Sequence, residues 1–232
     1  MLFAAGLGTR LKPFTDHHPK ALARVHGKTL LQWNIEYLQR FGIREVVVNV
    51  HHFADQIEQE LHIHRGFGSK VHISDERDAV LETGGGLKKA QPFLEREEYF
   101  LVMNADVLTN LDLQRLMKAH HPENMATLAV MQRASSRHLL FDEEMTLCGW
   151  RNNTTGEEKT AIKKSGVRPY AFSGIQVVTP KIFDMPFNGK FSMIDMYLHF
   201  AKQGVVKGFD HSGDVFLDVG KPESLQKAAA LF

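Results

Sequence analysis

The sequence predicts an α/β protein: a doubly wound, mostly parallel sheet carrying a small antiparallel insertion. Three observations lead there. Apolar, β-branched runs such as REVVVNV (Arg44 to Val50) and YFLVMNAD (Tyr99 to Asp106) lack polar alternation, as strands buried on both faces of a parallel sheet do. Segments of helical spacing alternate with such runs from Leu2 to about Gln132. Residues 133–180 break that rhythm with short strand-like pieces around a polar stretch.

Met1 to Ala5 must supply the whole first strand, which is short against the usual five or six residues and suggests residues upstream or an earlier start. An irregular loop, FAAGLGTRLKPFTDHHPKAL, then runs from Phe3 to Leu22. Thr29-Leu30-Leu31-Gln32 reads as a capping box opening the helix LLQWNIEYLQRF. Leu30, Leu31, Ile35, Leu38 and Phe41 form its apolar side, and Gly42 is placed to close it. FADQIEQEL is the next helix, KVHIS the next strand, and GGGLKKAQ a helix stopped by Pro92. Asp112 is the expected N-cap of LDLQRLMKAH, and MATLAVMQ is again strand-like. HLLFDEEMTLCGW and PYAFSGIQVVT are the β-like pieces of the insertion, with a mobile tip expected near Asn152 to Ser165. Ser192 caps MIDMYLHFAKQ, Gly204 ends it, VVKGF and DVFLDVG are strand-like, and Pro222 starts the last helix. No repeat, low-complexity tract or linker divides the chain, which predicts one domain over residues 1–232.

Composition narrows the function. Hydrophobic residues make up 43% of the 232 and charged ones 24%, enough for a sizeable core. A net charge of +1 gives no reason to expect a nucleic-acid or anionic-membrane partner, so any bound anion must be held by local groups. Cys148 is the only cysteine, which excludes an intrachain disulfide. No apolar run approaches a bilayer span and no leader precedes the fold, so a cytoplasmic location is the expectation. Oligomeric state is not readable.

The opening loop holds the chemistry. Gly6 and Gly8 follow the first strand, where a missing Cβ lets backbone approach a ligand, and Thr9, Arg10 and Lys20 add a hydroxyl and two cations. Amides and cations after a strand suit an oligophosphate; the alternative is a glycine-rich turn with stray surface charges. Two familiar phosphate motifs fail: the third glycine of GxGxxG is Leu11, and GKT at Gly27 to Thr29 lacks the leading glycine of a P-loop, that position being Leu22.

AAGLGTRLKPFTDHHPKAL strongly resembles the signature GxGTRLxPxTxxxPKxL of sugar-1-phosphate nucleotidyltransferases, with both glycines, Thr9, Arg10, Leu11, Pro13, Thr15, Pro19, Lys20 and Leu22 in place. Later landmarks recur in the family's order: ETGGGL, MNADV, FSGI and FLDVGKPE. Within the family the chain looks most similar to N-acetylmuramate-1-phosphate uridylyltransferases, with mannose- and heptose-1-phosphate guanylyltransferases close behind. The resemblance implies the Rossmann-like nucleotide-diphospho-sugar transferase fold, with an NTP and a sugar 1-phosphate as substrates and Mg²⁺ as cofactor. Because the attacking phosphate is already an anion, the reaction needs positioning and charge neutralisation rather than a general base.

The resemblance also implies roles. Asp106 and Asp218 would hold Mg²⁺, although an isolated strand-end aspartate also reads as a turn residue. Arg10 would grip the β and γ phosphates, and Lys20 would sit near the α-phosphate and the sugar phosphate. Ala4, Ala5, Gly6, Gly8 and Thr9 would line the nucleotide, with Thr83, Gly84 and Gly85 letting backbone approach base and ribose. Glu82, Asn104, Ser173 and Gly174 would face the sugar. One departure stands out: many relatives carry a Glu-Lys-Pro whose lysine touches the sugar phosphate, whereas Glu158-Lys159 and Lys163-Lys164 here lack the proline. The 13 histidines show no metal-ligand spacing; His51 alone borders the expected cleft, and DERD (Asp75 to Asp78) reads as a solvated turn at its rim. A glycosyltransferase of similar fold and a catalytically inactive nucleotide sensor are the alternatives.

Overall fold

In the computed structural model, which describes residues 1–232, the chain opens with a two-residue strand, β1 (Leu2–Phe3). Short 3-10 turns carry the loop to Leu22, and a hairpin of β2 (Arg24–Val25) and β3 (Lys28–Thr29) leads into helix α1 (Leu30–Arg40). Strand β4 (Glu45–Val50), helix α2 (Ala54–Ile63), strand β5 (Lys70–Asp75), helices α3 (Glu82–Lys89) and α4 (Gln91–Leu94) and strand β6 (Phe100–Asn104) continue the alternation. Then come β7 (Val107–Thr109), α5 (Leu113–Lys118), β8 (Ala126–Met131), β9 (Arg137–Phe141), β10 (Leu147–Asn152), β11 (Glu158–Thr160) and the long β12 (Arg168–Val178). The chain closes with α6 (Met193–Ala201), β13 (Val206–Asp210), β14 (Phe216–Asp218) and α7 (Pro222–Leu231).

The expected sheet is present. Strands β6, β1, β4 and β5 lie side by side and parallel, with the two-residue β1 at the centre. Strand β12 adds antiparallel to β6, and β8 and then β13 extend from it. Along β4, Val46, Val48 and Val50 enter one core cluster and Val47 the other, which is why the run REVVVNV shows no alternation. The first half of β12 turns away to pair with β9, whose partners β10 and β11 complete the antiparallel insertion. The bend coincides with a register shift between Phe172 and Gln176, so the FSGI segment is a bulge. No helix is long and apolar enough to cross a membrane.

Local signals hold in most places. The Thr29 hydroxyl accepts from Gln32 N at 3.1 Å, but the Gln32 amide turns to Glu36 and leaves the capping box half closed. Ser192 and Asp112 cap their helices through Ile194 N and Gln114 N. Pro92 ends α3 by opening α4, where its missing N–H is no loss. Two expectations change. The stretch expected to be a mobile tip is partly ordered, because Glu158–Thr160 pairs with β10. In DERD, Glu76 is buried while its neighbours are solvated, because it turns back under the end of β4 and hydrogen-bonds Asn49.

Candidate active site

The site lies beyond the carboxyl ends of β1, β4 and β6, where the loops of a parallel sheet present their backbone. The loop after β1 is folded onto Lys20. Gly8 has φ +61°, and a Cβ there would stand 2.9 Å from both Lys20 Cβ and Thr15 Cγ2, so glycine is required twice over. The Thr15 hydroxyl pins the fold by donating to Gly8 O at 3.0 Å. Deeper in, Asn49 Oδ1 accepts from Ala4 N (2.7 Å) and Ala5 N (3.3 Å), and Asn49 Nδ2 donates to Glu76 Oε1 (2.7 Å). Burial pushes the Glu76 carboxyl upward against the pull of that hydrogen bond.

The two aspartates are far apart in sequence and adjacent in space. Strand β14 pairs with β7, setting Asp218 opposite Val107, and Val219 N donates to Asp106 O at 2.9 Å. The largely buried Lys20 ammonium pairs with Asp106 and stands 3.6 Å from Asp218 Oδ1, while Arg10 Nη2 is 3.8 Å from Asp218 Oδ2. A cation thus already sits between the two carboxylates. No cluster of three or more His, Cys, Asp or Glu side chains suited to a metal exists in the molecule. Two carboxylates are a sufficient protein contribution for Mg²⁺, which keeps waters and takes further oxygens from substrate phosphates. The donor set fits that ion.

Two cavities meet at this pair. The smaller, about 310 Å³, is lined by Ala5, Gly6, Asn49, Glu82, Thr83, Asn104 and Asp106, with the exposed Leu7 and Val80 among its apolar walls. The larger, about 1000 Å³, is polar and includes Arg10, Arg133, Trp150, Lys159, Asp218 and Lys221. Asp106 faces the first and Asp218 the second. Glu82 holds φ +58°, a conformation that costs a non-glycine residue roughly 1 kcal/mol or more and that orients the start of α3 toward the small cavity.

Several expected residues are placed for packing. Gly84 N and Gly85 N both donate to Phe191 O, and a Cβ on Gly84, Gly85 or Gly86 would strike the Phe191 ring, Gly189 O or Glu76 respectively. These glycines therefore seat α3 against its neighbours, while Thr83 lines the cavity and accepts from Met193 N. Ser173 is buried, its hydroxyl 2.8 Å from His211 Nε2. Gly174 (φ +69°) makes room for Asn104, whose Nδ2 would lie 2.5 Å from a Cβ. Thr9 starts a 3-10 turn with Arg10 exposed beside Asp218. Of the insertion's lysines, Lys159 reaches the large cleft but pairs with Asp195 at 2.9 Å, whereas Lys164 pairs with Asp142 elsewhere. Sequence reasoning misses Asn49, Arg133 and Trp150, and it places Glu76 only within the DERD turn at the cleft rim. Asn49 alone left a signal, a polar residue inside the otherwise apolar β4.

The model of the nucleotidyl transferase family matches residues 1–139. The chain belongs to the nucleotidyl transferase family. It is 31% identical to the N-acetylmuramate alpha-1-phosphate uridylyltransferase of Caulobacter vibrioides over 99% of this chain and 95% of that one. The enzyme of the same name from Neisseria meningitidis is 33% identical over 100% and 96%. Among solved structures, HddC from Yersinia pseudotuberculosis superposes with a TM-score of 0.80 at 27% identity, covering 99% and 96% of the two chains, and it has also been crystallised complexed with GMP-PN. The protein is thus a sugar-1-phosphate nucleotidyltransferase, and the glycosyltransferase alternative falls away.

Proposed function

We propose that the enzyme transfers a uridylyl group from UTP to N-acetylmuramate 1-phosphate. A phosphate oxygen of the sugar 1-phosphate attacks the α-phosphorus, the bond to the bridging oxygen breaks, and pyrophosphate leaves. End-to-end similarity to two enzymes of that activity carries the choice of substrates. The large cleft supports it: its cations outnumber its carboxylates, as an acceptor with both a phosphate and a carboxylate requires.

In this reading the base and ribose enter the small cavity, which moves Glu82 and Asn104 from the expected sugar side to the nucleotide side. The sugar fills the large cleft, and the reacting phosphates meet at Asp106 and Asp218. Both carboxylates would hold Mg²⁺, which when bound supplies charge neutralisation and polarisation at the phosphates. Lys20 moves its charge from Asp106 to the α-phosphate and the attacking oxygen. Arg10, exposed beside Asp218, takes the departing pyrophosphate. GTP with a heptose or mannose 1-phosphate is the second reading, favoured by the guanine nucleotide analogue bound in HddC.

Pyrophosphate release tests both. UTP, GTP, CTP, TTP and ATP are crossed with N-acetylmuramate, N-acetylglucosamine, mannose, glucose and heptose 1-phosphates in the presence of Mg²⁺. UTP with N-acetylmuramate 1-phosphate is the expected pair, and release with GTP alone would hand the assignment to the second reading. Asp106→Asn is expected to lower kcat by about 10²–10³-fold or more, the scale of losing one group that stabilises transition-state charge.

A further inference from the structure

We propose that Arg133 is the receptor for the phosphate of the incoming sugar 1-phosphate, an inference that rests on the acceptor occupying the large cleft. Arg133 lies two residues beyond β8, in the wall of that cleft with Arg10 and Asp218. Its guanidinium lies over the Phe216 ring at 4.6 Å, and Nη2 donates to Phe172 O at 3.0 Å. Its Nε is buried and has no hydrogen-bond partner. No carboxylate pairs with it. Of the cleft's other cations, Lys159 is neutralised by Asp195, Arg10 stands beside Asp218, and the unpaired Arg137, Lys221 and Lys227 are exposed, where water solvates them.

A half-buried cation without a counter-ion is costly to keep, because desolvation is not repaid by an opposite charge. Burial accordingly draws the guanidinium's pKa down, and Asp218 opposes it only in part. The ring face beneath it offsets some of this cost. What remains is a planar fork of donors, one of them engaged, at the surface of a cleft: the arrangement that suits bidentate capture of a phosphate.

Its position selects which anion. Phe172 and Trp150 also line the cleft and supply faces against which a sugar ring can lie. Arg133 is anchored to the carbonyl of Phe172 on one side and feels the charge of Asp218 on the other. It thus touches the segment that carries Phe172 and shares the cleft with Asp218, so a phosphate on a sugar lying against these rings comes within its reach. Held there, that phosphate has part of its charge neutralised and its oxygen directed toward the α-phosphorus.

The test uses whichever sugar 1-phosphate the wild-type enzyme turns over, so failure of the proposed substrate pair is seen separately in the wild type. Arg133→Met and Arg133→Lys are compared with wild type after their Tm values are measured. The expected result is a KM for the sugar 1-phosphate raised at least tenfold in Arg133→Met, with the KM for the NTP changed less than twofold and a smaller loss in Arg133→Lys. The corresponding free sugar, used as a competitive inhibitor, should keep its inhibition constant in both variants. An unchanged KM for the sugar 1-phosphate overturns the proposal, as does an equal rise for the NTP. Equal weakening of the free sugar and its 1-phosphate also overturns it, by assigning Arg133 to another group on the sugar. If Arg133→Met does not fold, the same comparisons are read from Arg133→Lys, whose stem and charge are retained.

Discussion

Asn49 shows how much one neutral side chain can organise. Its carboxamide is buried at the end of β4, with Oδ1 holding the amides of Ala4 and Ala5 and Nδ2 holding Glu76. It fixes the first residues of the loop after β1 against the wall of the small cavity that Glu76 helps to form. Removing it strands two loop amides and a carboxylate, and each buried polar group left unpaired costs roughly 1–3 kcal/mol. Asn49→Ala is therefore expected to raise the KM for the NTP about tenfold or more, the equivalent of about 1.4 kcal/mol, with less effect on the sugar 1-phosphate. Steady-state kinetics with each substrate varied in turn would reveal this. Equal effects on both would mean that the residue supports the fold and not the nucleotide. Asn49→Asp is a sharper variant, since two carboxylates at hydrogen-bond distance cannot both stay ionised. Binding of NTP to that protein should then weaken as pH rises.

At the scale of elements, the strands of the parallel core and the caps of α1, α5 and α6 were legible, because each rests on a local signal: an unbroken apolar run or a hydroxyl or carboxylate before a helix. The loop from Phe3 to Leu22 was legible for another reason, its long motif. What escaped were features made by contact between distant segments. Nothing near Arg133 announces that Phe216, more than eighty residues later, will lie beneath it. Nor does ETGGG reveal that its glycines face Phe191, Gly189 and Glu76, when glycines near a ligand look the same in sequence. Helix α3 makes this testable. Alanine is favoured over glycine inside a helix by about 1 kcal/mol, but a Cβ at Gly85 would lie 2.2 Å from Gly189 O, a backbone atom. Overpacking of that kind costs about 3 kcal/mol, so the clash wins. Gly85→Ala is expected to lose about 2 kcal/mol net and to lower Tm by about 4–8 °C. A rise in Tm would show that the 189–191 segment yields at no cost.

At the scale of the whole molecule, the main sheet and the small β7–β14 sheet are joined by the turn from His211 to Val215, which carries the chain from β13 toward Asp218. His211 is buried there, with Nε2 on the Ser173 hydroxyl and Nδ1 3.4 Å from Asp214 without forming a hydrogen bond. Burial is the dominant influence and lowers its pKa; the nearby Asp214 and Asp210 pull the other way, and Arg133 adds to the lowering. His120, packed against Thr127 and Tyr99, is lowered by burial as well. Below the ordinary histidine value of 6.5 the unfolded chain takes up protons that the native state refuses. Stability is then full above that pH and declines as pH falls toward the native values. Glu76 acts with the opposite sign: its raised pKa favours the native state in acid, and that contribution is lost as pH rises above 4.5. Thermal melts of wild type and His211→Asn between pH 5 and 8 separate these effects, because both proteins share Glu76. The wild type is expected to lose Tm more steeply on acidification than the variant. Parallel curves would mean that His211 binds protons equally in the native and unfolded states, and a wild-type curve shallower than the variant's would mean that an ion pair with Asp214 keeps it charged in the native state.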